Sequence, residues 1–108
     1  MIEIREYIEE NGKSPFALWF EELDAQVAAK VATYLTRIEN GNVSNIKSVG
    51  GGVSECRIDF GPGYRVYFGR DGNTLVILLG GGTKRHQQRD IEKAHIIWQA
   101  YKNRKKKL

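Results

Sequence analysis

An α+β fold is predicted by three observations on this chain of 108 residues. Helical periodicity is confined to residues 14–39 and to those beyond about 87. Apolar and polar residues alternate between 53 and 68, and an uninterrupted apolar run follows at 74–79. The expected order is an N-terminal strand, a helix hairpin, an antiparallel three-strand meander completing a small twisted sheet, and a C-terminal helix. The length fits one domain, residues 1–108.

The elements follow in order. In "IEIREYI", Ile2 and Ile4 alternate with Glu3 and Arg5, the pattern of a half-buried strand. "NGKSP" breaks it. Ser14 is placed to cap a helix whose first position is Pro15, where a missing N–H costs nothing. Phe16, Trp19, Phe20 and Leu23 fall on one face of that helix. Asp24 is placed to cap a second helix with Val27, Val31, Tyr34, Leu35 and Ile38 on one face, and Asn40-Gly41 predicts its end. Aromatic residues at this spacing are core rather than a stacking surface.

Residues 41–55, "GNVSNIKSVGGGVSE", read as a loop. No Lys-Ser/Thr follows the glycines, so the loop lacks the pattern of a phosphate-cradling nucleotide site. In "VSECRIDF", Ser54, Cys56, Ile58 and Phe60 face one way and Glu55, Arg57 and Asp59 the other. "GPG" turns the chain, and "YRVYFG" sets Tyr64, Val66 and Phe68 opposite Arg65 and Tyr67. "RDGN" predicts a tight type I′ hairpin. "TLVILL" predicts a central strand buried on both faces and ending at Leu79. From about Gln87 the period is helical again, with Ile91, Ala94, Trp98 and Tyr101 as a narrow stripe.

Composition bounds the function. Apolar residues make up 41%, enough for a modest core. No apolar run approaches the roughly 20 residues that span a bilayer. The acidic N-terminus is unlike a secretory signal, and a lone Cys56 offers neither a disulfide nor a zinc set. A cytoplasmic protein without metal, membrane anchor or small-molecule cofactor is expected. Residues 1–54 hold five Lys/Arg against eight acids, net −3, while residues 55–108 hold twelve against five, net +7. A domain with one basic half suits an acidic partner, nucleic acid above all; a solvated basic tail is the plainer explanation.

The candidate chemistry lies on the polar face of the meander. Alternation places Arg57 and Arg65 together on adjacent strands. "GGGTKRH" is expected to leave the sheet sharply through its glycines and bring Lys84, Arg85 and His86 to the margin of that face, beside Tyr67. Arginine grips phosphate oxygens through paired hydrogen bonds, such cations stabilise charge at a pentacovalent phosphorus, and an imidazole moves protons near neutrality. Tyr67, Gln87 and Arg89 are secondary candidates for RNA contact. Lys102, Arg104 and Lys105 read as a phosphate-binding arm, or as cations complementing the helix dipole. The plain alternative pairs Arg57 with Asp59 or Glu55. His95 is expected to be packed or half-exposed, and Cys56 inert in the core.

"SECRIDFGPGYRVYF" followed by "LVILLGGGTKRHQQRDIEKA" resembles the RelE/ParE toxin superfamily, and within it the short HigB-like, phage-related addiction module killer proteins. Their "GG-x-K-x-x-Q-x-x-DI" signature falls on Gly81, Gly82, Lys84, Gln87, Asp90 and Ile91, and the likeness runs over nearly the whole chain. The resemblance implies a RelE-like fold and the toxin of a type II toxin–antitoxin pair. It implies a metal-independent mRNA interferase acting at the ribosome, in which the RNA 2′-hydroxyl attacks the adjacent phosphate. It further implies a cognate helix-turn-helix antitoxin. By position, Arg65 matches the arginine that stabilises the transition state, and Arg85 the one that protonates the leaving group. Arg57 and Asp59 match two lysines that hold the scissile region. Two departures stand out: Asp59 replaces a cation, and Ile91 stands where a base-stacking tyrosine is found. His86 or Tyr67 are the available substitutes for that tyrosine, and the general base stays open. ParE-like members of the superfamily inhibit gyrase instead and lack the nuclease set.

Overall fold

The computed structural model describes residues 1–107. Its elements are β1 (Glu3–Glu6), α1 (Pro15–Glu21), α2 (Ala25–Glu39), β2 (Ile46–Ser48), β3 (Val53–Ile58), β4 (Tyr64–Asp71), β5 (Leu75–Thr83), a 3₁₀ turn (Lys84–His86) and α3 (Gln87–Lys106). The expected α+β order is borne out. The five strands form one sheet in the order β1-β5-β4-β3-β2, antiparallel except for the parallel pair β1–β5. β5 is therefore an interior strand over Leu75–Leu78, between β1 and β4, as its unrelieved apolar run requires.

Both helix starts form as their capping chemistry dictates. Ser14 Oγ accepts from the Ala17 N–H at 3.0 Å, and Asp24 Oδ1 accepts from the Val27 N–H at 3.0 Å. Each satisfies a backbone donor that has no partner inside the helix. The sheet divides the core in two. On one face α1 and α2 bury Phe16, Val27, Val31 and Ile38 against Cys56, Val66, Phe68 and Leu78. On the other, α3 lays Ala94 and Trp98 over Val53, Tyr67, Ile77 and Leu79.

Four expectations need correction. β2 lies inside the stretch read as a loop, pairing Ile46–Ser48 with Cys56–Ser54. The β4–β5 hairpin is not a two-residue type I′ turn. Asp71 pairs with Leu75, so the loop is Gly72–Thr74, and only Gly72 takes a positive φ, +73°. β5 does not end at Leu79. It continues through the three glycines to Thr83, opposite Tyr67 to Tyr64, with a bulge between Phe68 and Tyr67. Finally, α3 covers the polar face of the meander, so that face is not an open concave surface. Gly81 and Gly82 have to be glycine in this strand because α1 and α3 press onto them. A Cβ on Gly81 would stand 2.3 Å from the Trp19 ring, and one on Gly82 2.0 Å from the Asp90 carboxylate.

Candidate functional site

Arg57 and Arg65 face each other directly across β3 and β4. Two like charges in register repel, and each takes its own carboxylate. Arg57, exposed, lies 3.5 Å from Asp59. Arg65 is buried, with side-chain exposure of 7%, and its Nε lies 3.4 Å from Oε1 of the equally buried Glu55. Gln87, at the start of α3, donates to the same Glu55 oxygen at 3.0 Å. Arg65 Nε and Nη1 are enclosed without a well-aligned hydrogen bond. The guanidinium is thus held by charge, with hydrogen-bonding capacity left over.

Arg57, Arg65 and Lys84 nonetheless line one open hollow of about 350 Å³, walled by the Phe60–Gly63 turn. The Lys84 N–H donates to the Gly63 carbonyl at 3.2 Å, tying the 3₁₀ turn to that wall. Lys84, Arg85 and His86 are all exposed, and among the described residues none has a carboxylate within ion-pair distance. Arg85 and His86 stand outside the lining of the hollow. Three of the five expected catalytic residues therefore share a cavity, one of them neutralised by a buried partner.

The residues expected to contact RNA fare differently. Tyr67 is 1% exposed beneath α3, so its ring is closed to any base. Burial, and then the Glu55 carboxylate, push its phenol pKa upward. Gln87 turns inward to Glu55 rather than outward. Arg89 is exposed, 3.9 Å from Asp90, and lines a different cleft. Arg104 donates to the Ile8 carbonyl at 2.9 Å and lies over the Tyr7 ring. Lys105 pairs with Asp71 at 2.6 Å. These two hold the chain's beginning and the β4–β5 turn, so they do not form a free arm. Lys102 is half-buried. At about 1.5 Å per residue, eighteen steps along α3 set Lys105 about 27 Å from Gln87.

Glu55 was readable as a member of the polar face, and its closure over Arg65 was not. Asp90 also went unnoticed as a site residue. It is packed on Gly82, and burial raises its carboxyl pKa against the pull of Arg89. Cys56 is buried, and desolvation pushes its thiol up to about 11. His95 is half-buried, its Nε2 3.0 Å from the Val49 carbonyl. No helix among the described residues is long and apolar enough to cross a membrane.

Comparison with known proteins places the chain. Residues 18–102 match the family described as Phage derived protein Gp49-like (DUF891), and the chain belongs to that family, whose members are of the addiction-module toxin kind. A protein of Haemophilus influenzae is 42% identical over 85 residues, covering 78% of this chain and 86% of the relative; it is described only as an uncharacterized protein.

Proposed function

We propose that this chain is the toxin of a toxin–antitoxin pair that cuts mRNA at the ribosome. The RNA 2′-hydroxyl gives up its proton to water and attacks the neighbouring phosphorus, the bond to the 5′-oxygen breaks, and that oxygen takes up a proton, leaving a 2′,3′-cyclic phosphate and a 5′-hydroxyl. The observation that carries this reading is the hollow shared by Arg57, Arg65 and Lys84. Lys84 meets a non-bridging phosphate oxygen as a point charge, and Arg65 stabilises the charge that grows on phosphorus. Exposed Arg85 is the donor to the departing oxygen. Antitoxin binding silences the toxin. Inducing the protein and mapping transcript ends tests the reading: cuts within codons of ribosome-bound mRNA are expected.

The pairing of Arg65 with Glu55 favours a second reading, a toxin that poisons DNA gyrase by binding alone, since a neutralised guanidinium has less charge to offer phosphate. Intact mRNA with DNA-damage signalling in arrested cells selects that reading. Induced protein that leaves growth unaffected excludes both.

A further inference from the structure

A guanidinium–carboxylate pair frequently closes through two parallel hydrogen bonds. The pair of Arg65 and Glu55 does not. Glu55 Oε1 lies 3.4 Å from Arg65 Nε, yet Nε and Nη1 have no aligned acceptor and both are shut off from solvent. In register, Glu55 has Lys47 on one side and Tyr67 on the other. Neither takes it up: Lys47 makes no ion pair among the described residues, and the Tyr67 hydroxyl has no partner. Glu55 accepts instead from the Gln87 carboxamide, at 3.0 Å and on that same Oε1.

Gln87 is held in place by its own backbone. Its N–H donates to the Lys84 carbonyl across the 3₁₀ turn, and the Lys84 N–H donates to the Gly63 carbonyl. One turn therefore carries Lys84 to the hollow and Gln87 to Glu55. Arg65 Nη1 lies against the same wall, since a Cβ on Gly63 would stand 3.6 Å from it. The unbonded donor is thus beside the hollow that Arg65 lines with Arg57 and Lys84.

A carboxylate oxygen that accepts from an amide has a lone pair committed to that donor and less to offer a second. Glu55 then holds Arg65 by attraction without occupying its N–H groups. We propose that Gln87 is a positioning residue: it draws Glu55 toward α3 and so keeps the Arg65 donors free for a phosphate oxygen in the hollow. This role assumes the phosphodiester substrate proposed above. It also leaves the buried pair open rather than closed, so Arg65 keeps directional bonds to give although its charge is partnered. Were Gln87 merely a tie between β3 and α3, its loss would lower stability and RNA binding in proportion.

The probe is a 2′-O-methyl RNA hexamer, which lacks the attacking hydroxyl and so binds uncut. It is titrated into the isotope-labelled full-length chain while the backbone amides and the Arg65 Nε–H resonance are followed. Gln87→Met removes the carboxamide and keeps the side chain's bulk. With its oxygen released, Glu55 should close on Arg65, moving the Nε–H resonance downfield before RNA is added. Affinity for the hexamer should fall by about tenfold, with the urea midpoint unchanged or raised. Glu55→Gln keeps the shape and removes the charge, so affinity should rise and its log–log salt slope steepen by up to about 0.7. Should Glu55→Gln fail to fold, Gln87→Met decides alone. The proposal is overturned if Gln87→Met leaves affinity and the Arg65 resonance unchanged, or if it loses affinity and stability together. It is equally overturned if the hexamer does not bind the wild-type chain, or if its shifts avoid Gly63 and Lys84. Binding that depends on Gln87, alongside intact mRNA in arrested cells, would uphold the positioning role and reject the nuclease. Cut mRNA with a Gln87→Met protein as active as wild type would do the reverse.

Discussion

Arg65 is both the residue expected to do chemistry and half of a buried ion pair. Removing one partner of such a pair strands the other, at a cost of about 3–5 kcal/mol. Arg65→Ala should therefore lower the urea midpoint substantially, whereas Arg65→Lys, which keeps the charge, should recover much of the loss. Loss of toxicity in the alanine variant consequently says little about catalysis. Lys84→Ala is the cleaner probe. Lys84 is exposed and unpaired, so stability should hold within about 0.5 kcal/mol while RNA cutting falls by about 10²-fold or more. Titration offers a further check. The folded state holds the Asp90 proton more tightly than the unfolded chain does, because burial raises its pKa above the ordinary 3.8. Its contribution is greatest at low pH and is lost as pH rises from 3.8 through the raised value, so Asp90→Asn should flatten that decline in pH-dependent unfolding. Asp71, lowered by its bonds to Lys105 and Tyr101, acts oppositely and loses its contribution as pH falls below 3.8. For Cys56, a thiol near 11 leaves about one part in a thousand ionised at pH 8. Alkylation by iodoacetamide should then require unfolding.

At the scale of elements, the Gly-Gly and Asp-Ile parts of the signature prove to be one packing device. Gly82 makes room for Asp90, Gly81 for Trp19, and Gly69 for Trp98, whose ring would lie 2.4 Å from an added Cβ. Gly81→Ala or Gly82→Ala should destabilise by about 1–3 kcal/mol, as overpacking does. Shortening Asp90 to Ala should relieve the second change and leave the first as it was, measurable as a coupling in denaturant unfolding. The same contacts explain what was legible in the sequence. Helices with capping residues and apolar stripes were plain because cap and period are local properties. The ends of β5 were not. Three glycines signal a break when propensity is judged locally, yet here a strand without side chains is what two helices need beneath them. β2 escaped because Ile46–Ser48 carries a single apolar residue; it is a strand only because β3 offers it a free edge. Likewise, alternation told correctly that Glu55, Arg57, Arg65 and Tyr67 share a face, and could not tell that α3 lies over three of them.

Across the whole molecule, the basic half divides into two tasks. Lys84, Arg85 and His86 are free at one end of α3, while Arg104 and Lys105 at the other are occupied with Ile8 and Asp71. The fields of these ends are separated by most of the helix, so charge counted along the chain overstated what any one surface presents. Arg104→Ala should speed amide exchange at Tyr7 and Ile8 and leave the Arg57–Lys84 hollow unchanged, which exchange measured by mass spectrometry resolves. The pairing of β1 with β5 has a consequence for synthesis as well. Glu3 waits for Leu75, and Ile8 for Arg104. During translation the strand Glu3–Glu6 emerges with nothing to join until Leu75–Leu78 has followed it. A product truncated before Leu75 lacks the strand on which β1 and β4 both pair, so its sheet cannot close.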